Sequence, residues 1–161
     1  FGYSLRKLGL RETRGGSVVL DLFSRKVIGW ASHQRIDAEL VVNALLMALR
    51  QRQPRSEVLV HSDQGVQYTS ELCQHFMKSH RLKSSMSRRG NCHDNAVAES
   101  FFQLLKRERI KRHIYKTRAE ARTDIFNYIE MFYNPKRRHS ACDNLAPVAY
   151  ENAWNLRHQT V

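Results

Sequence analysis

The stretch SVVLDLFSRKVIGWAS, residues 17–32, most narrows the fold. It is two β-branched and aromatic runs meeting at Phe23-Ser24, the pattern of two antiparallel strands joined by a tight turn. An amphipathic helix is predicted directly after it, over 37–52, with Leu40, Val41, Ala44, Leu45, Ala48 and Leu49 at helical spacing. The short apolar run EVLVHS, 57–62, then reads as another strand. A helix that follows a hairpin and precedes a strand implies a mixed sheet with helices packed on it, an α/β domain.

The remaining elements fit that layout. Ser70–His80 is predicted helical, with Leu72 and Phe76 inward, and LKSSMS is a weak strand. Asp94 is placed as the cap of a helix running to about Lys111. Thr117-Arg118-Ala119-Glu120 is a capping box opening a helix whose buried stripe is Ala121, Ile125, Tyr128, Ile129 and Phe132, ended by Pro135. LAPVAYENAW packs back in an otherwise irregular tail. Residues 1–16 are basic, show no clean period and end on Gly15-Gly16.

Charge decides the class of partner. Lys plus Arg number 27 against 15 Asp plus Glu, a net +12, which points to a polyanion and above all to nucleic acid. No apolar run is long enough for a membrane span, so no membrane partner is expected. Three cysteines without a C-x-x-C exclude a disulfide framework and a zinc ribbon and suit a reducing cytoplasm.

Two acids stand out. Asp63 ends the third apolar run and is followed by the polar, Gly-containing QGVQY; sites in open α/β sheets gather beyond the carboxyl ends of strands. A lone Asp there is also an ordinary turn residue. Glu99 shares a helical stripe with Asn95, Phe102 and Lys106, unlike a core face, although by itself it reads as a surface acid. Thirty-five residues lie between Asp63 and Glu99.

Here HSDQGVQYTS, SMSRRGNCHDNAVAESFFQLLKRE, FYNPKRRHSACDNLAPVAYE and VVLDLFSRKVIGW together resemble the catalytic protein of bacterial insertion sequences, within the retroviral-integrase superfamily. The likeness spans about residues 17–151, with the motifs in the family's order. It implies a ribonuclease H-like mixed sheet flanked by helices and a D-D-35-E triad in which Asp63 is the second acid and Glu99 the third. Such carboxylates hold two Mg²⁺ or Mn²⁺ ions, hard cations preferring oxygen, which clamp the attacking and leaving oxygens of an in-line displacement. The implied function is metal-dependent DNA strand cleavage and strand transfer in transposition. The implied partners are transposon ends and target DNA, a homo-oligomer on DNA and a separate recognition protein of the same element. The implied location is the bacterial cytoplasm, at the nucleoid.

The first acid of the family falls on the central strand, about sixty residues before the second. Counting back reaches Tyr3, and residues 1–16 contain no Asp, only Glu12 beside a breaker. Asp21 reads as a hairpin-end residue instead. The central strand is therefore expected to be missing or replaced, residues 1–16 aberrant, 17–151 the core and 152–161 a tail. The metal pair would be weakened and the copy truncated or defective. The competing function is a non-catalytic DNA-binding relic that interferes with intact transposase; a ribonuclease H-type nuclease is a third reading, disfavoured by the motifs beyond the acids.

Arg88 and Arg89, in a Gly-containing loop before the Glu99 helix, are assigned to the DNA backbone. Asn95 and Lys106 on the Glu99 stripe join them. Lys136, Arg137 and Arg138 either grip phosphates or form a plain basic patch. His61 approaches the metals or is structural. Trp30 and Trp154 are packing aromatics.

Overall fold

The computed structural model describes residues 6–13, 16–33, 37–62, 69–86 and 92–159, with 6–13, 86 and 92–95 described by backbone alone. Five strands form one sheet: β1 (Arg6–Thr13), β2 (Gly16–Asp21), β3 (Val27–Ala31), β4 (Val58–Ser62) and β5 (Leu82–Met86), in the order β3-β2-β1-β4-β5. β1, β2 and β3 pair antiparallel; β4 and β5 run parallel to β1.

Of the two expectations for the central strand, missing or replaced, a strand is in place: Arg6–Thr13 occupies the central position, paired with β2 from Leu8↔Asp21 to Thr13↔Gly16 and with β4 from Arg6↔Val58 to Leu10↔Ser62. Glu12 is in β1 opposite Ser17. A strand ladder is made of backbone groups, so a segment lacking side-chain alternation still fills it when both neighbours offer partners.

Helices cover this sheet. α1 (Ala38–Arg52) starts where the Asp37 carboxylate accepts from the Leu40 N–H at 2.9 Å, and Leu40, Val41, Ala44, Leu45 and Ala48 are buried as the spacing predicts. α2 (Glu71–Ser79) is capped by Ser70, whose hydroxyl accepts from the Cys73 N–H. Its inward residues are Cys73 and Met77, with Phe76 half-buried; Leu72 is 51 % exposed, against expectation. The inward face is thus rotated by one residue, about 100°, from the predicted one. α1 packs on β3 at closest range where Gly29 meets the Ala44 and Ala48 turns.

α3 (Cys92–Glu108) begins two residues before Asp94, so Asp94 lies within the helix and does not cap it; the helix ends at Glu108, short of Lys111, and a 3₁₀ turn follows over Ile110–Arg112. The chain divides into two compact units, residues 1–23 with 27–100, and 24–26 with 101–161. The second contains α4 (Arg118–Asn127), a π-helical segment Tyr128–Tyr133, α5 (Asn134–Lys136) and α6 (Pro147–His158). Thr117 caps α4 as predicted: its hydroxyl accepts from the Glu120 N–H at 3.1 Å, and Glu120 accepts from the Lys116 N–H at 2.9 Å.

The π segment overturns part of the predicted stripe. Its wider turn, in which the Asn134 N–H reaches the Ile129 carbonyl, adds a residue per turn and brings Tyr133 inward, while Phe132 is 43 % exposed. Residues 152–158 continue α6 and are not an irregular tail. Trp154, read as a core or packing aromatic, is outside the core: it is 43 % exposed and packs by stacking on His158.

Candidate functional site

β4 is buried on both faces, with Val58, Val60, His61 and Ser62 all covered. It delivers the chain to Asp63, which lies outside the described residues, as do Arg88 and Arg89. Asn95 is in α3, with its side chain likewise outside them. Glu99 is on α3 with an exposed side chain; Lys106, seven residues on, is also exposed. The stripe they define is not uniformly polar, since Phe102 is only 7 % exposed.

Asp21 is structural, as expected. Its carboxylate accepts from the Phe23 N–H at 3.0 Å and pairs with Arg52 at 3.0 Å, while the residue is 4 % exposed. Two directional partners close the hairpin and tie it to the end of α1.

Does the donor set fit a pair of divalent ions? Among the described residues no group of three His, Cys, Asp or Glu side chains comes together. β1, the strand from which the first acid would come, reads RKLGLRET; its single carboxylate is Glu12, opposite Ser17 on β2. The β1 residues alongside the end of β4 are Gly9 and Leu10, and the next residue in the chain is Arg11. Among the described residues, then, no three-carboxylate set is completed, and Asp63 lies outside them.

The second unit holds a polar network that the sequence did not announce. Glu108, at the end of α3, accepts from the Tyr128 hydroxyl at 2.7 Å and from Arg137 through two nitrogens at 3.2 and 2.7 Å. The two charges are 29 positions apart in the chain, and no local pattern links them. Burial acts to raise the Glu108 carboxyl, but the bonds from Arg137 and Tyr128 outweigh it and hold its pKa below the ordinary value. Tyr128 is pushed up by burial and by the Glu108 carboxylate. The KRRH run is thus split. Arg137 is held in this fork with Glu108, whereas Lys136 and Arg138 are exposed. His139 packs edge-on against Tyr133, itself edge-on to Phe101, and burial, then Arg137 and Arg25, lower its pKa.

Cutting Glu108 to Ala should destabilise the protein by about 2–4 kcal/mol, because a buried hydroxyl and a half-buried guanidinium lose their partner. A fall in Tm of roughly 5–15 °C would register it. Acid should act in the same direction. The unfolded His139 takes up its proton near its ordinary value of 6.5, before the folded one does, so stability declines as pH falls through that region. Glu108 gives stability above its ordinary value of 4.5, lost as pH falls through its lowered folded value. Urea midpoints down a pH series, compared with Glu108→Gln, would separate the two.

Two models, each described as an integrase core domain, match residues 16–92 and 99–154. The transposase for insertion sequence element IS904 of Lactococcus lactis is 45 % identical over 135 residues, 84 % of this chain and 53 % of that protein. The transposase InsF for insertion sequence IS3A of Escherichia coli is 48 % identical over 136 residues, 84 % of this chain and 47 % of that one. The chain spans about half the length of the curated relatives it matches. In fold it resembles the catalytic core domain of BIV integrase (TM-score 0.66, 16 % identity, 96 % of this chain and 99 % of that one). It also resembles the HTLV-2 integrase catalytic core domain in complex with magnesium (TM-score 0.68, 14 % identity, 93 % and 99 %). The sheet order and these likenesses make the fold ribonuclease H-like. With both integrase-core models matched in order and insertion-sequence transposases at nearly half identity, the chain belongs to the integrase core family, as a catalytic-core portion of the insertion-sequence transposase kind.

Proposed function

We propose that the chain acts on DNA as the core of a transposase whose carboxylate set is one acid short. It grips duplex DNA and performs metal-dependent cleavage and strand transfer weakly. Asp63 and Glu99 are the two acids that remain for Mg²⁺ or Mn²⁺. Arg88, Arg89, Asn95, Lys106, Lys136 and Arg138 contact DNA. Transposon ends and target are the substrates, reached at the nucleoid as a homo-oligomer with a separate recognition protein of the element. The observation that carries the reading is the extended match to insertion-sequence transposases together with Glu99 exposed on α3. The second reading, a non-catalytic binder that interferes with intact transposase, is favoured by the absence of any Asp from β1.

Glu99→Gln distinguishes them. Under the first reading the chain shows faint Mn²⁺-dependent nicking of an element-end duplex, which Glu99→Gln and a chelator both remove while DNA affinity stays within about twofold. Under the second, wild type and variant bind equally and neither nicks. A chain that binds no duplex at low salt would sink both.

A further inference from the structure

An open groove of about 500 Å³ lies where α2 hands over to β5, within the first unit. Its floor is Met77 and Leu82, both buried. Its rim carries Lys78, Arg81 and Lys83, all exposed, against one carboxylate, Glu57. Arg81 holds a left-handed backbone (φ 56°), which turns the chain sharply from helix to strand. Lys83 and Glu57 stand 3.9 Å apart with exposed side chains, a pair worth little against solvent. Arg55, two residues before Glu57, is exposed as well.

The groove belongs to the end of the sheet where β4 and β5 begin: Val58 pairs with Leu82, and the Val58 N–H donates to the Arg81 carbonyl at 3.1 Å. Asp63 follows β4 at its other end. Five strand residues separate the two ends, a distance of about 17 Å. The groove therefore lies at the start of β4, the end of that strand away from Ser62.

We propose that this groove is a second docking surface for the phosphate backbone of duplex DNA, used to hold a stretch of duplex away from the reacting strand. The inference rests on the reading of the chain as DNA-acting and adds a place to it. The cations are the reason: three exposed ones line the groove with a single acid, Glu57, on long side chains that reach a backbone without reading bases. The open, shallow form suits a rod passing across it rather than an enclosed small ligand.

The test is the salt dependence of duplex binding, measured by fluorescence anisotropy on the full chain. The triple variant Lys78→Glu/Arg81→Glu/Lys83→Glu should lower the slope of log affinity against log salt by roughly 2–3, as two or three phosphate contacts are lost. A control reversing Lys111, Arg112 and Lys116, exposed cations of the second unit, makes the same change in net charge. The control should change the slope by less than one. Equal losses in both variants, or an unchanged slope in a triple variant with native circular dichroism, would overturn the groove while leaving DNA binding in place. No duplex binding by the wild-type chain would remove the groove and the proposed function together.

Discussion

Replacing Gly29 by Ala is expected to cost about 3 kcal/mol, lowering Tm by roughly 6–12 °C. A Cβ built there would overlap the Ala44 carbonyl oxygen and stand 2.9 Å from the Ala48 nitrogen and 3.0 Å from its Cβ. The first two are backbone atoms of α1, which no rotamer change can clear. Relief requires the helix to lift from β3, and that opens the buried core around Val19, Ile28, Val41 and Leu45. Gly29→Val should be worse. Thermal unfolding by circular dichroism checks the pair; a Gly29→Ala variant within about 1 kcal/mol of wild type would mean α1 sits further from the sheet than described.

The second large effect concerns activity and is expected as a gain. The parallel register between β1 and β4 runs to Leu10↔Ser62, and the residues next in the chain are Arg11 and Asp63. If the chemistry is limited by the absent acid, Arg11→Asp should raise Mn²⁺-dependent strand transfer at least tenfold. It removes a cation and adds a carboxylate, and hard divalent ions respond to ligand charge. Arg11→Asn, which removes the cation alone, should give much less. Adding Glu99→Gln to Arg11→Asp should abolish the gain. Quantifying joined product with labelled ends, with and without chelator, measures all three; no gain from Arg11→Asp would show that β1 does not present that position to the reacting DNA.

Much of the fold was legible because its signals are local. The hairpin, the amphipathic α1 and the Thr117 cap each depend on residues within a few positions, and each forms as predicted. β1 was missed because its place is set by two neighbours rather than by its own pattern. The partner of Arg137 was hidden for a related reason: KRRH looks like an uncompensated cationic run until Glu108 is brought to it from another helix. The basic rim of Lys78, Arg81 and Lys83 lies in plain view as KSHRLK, yet its meaning comes from the groove beneath. Of the candidate site, the lack of an Asp in residues 1–16 was legible, and the strand those residues form was not, since β1 takes its place through backbone pairing.

The π turn from Tyr128 to Tyr133 has a bearing on how this helix tolerates changes of length. A π turn equals an α turn with one residue spliced in, so the faces before and after it remain in phase only because the extra residue is absorbed locally. Met131 sits at that bulge and is 63 % exposed. A homologue one residue shorter here would carry a plain α-helix and still turn its counterparts of Tyr128 and Tyr133 the same way. A one-residue gap at this point is therefore a silent edit to the helix, whereas elsewhere along it the same gap would rotate every later side chain by about 100°.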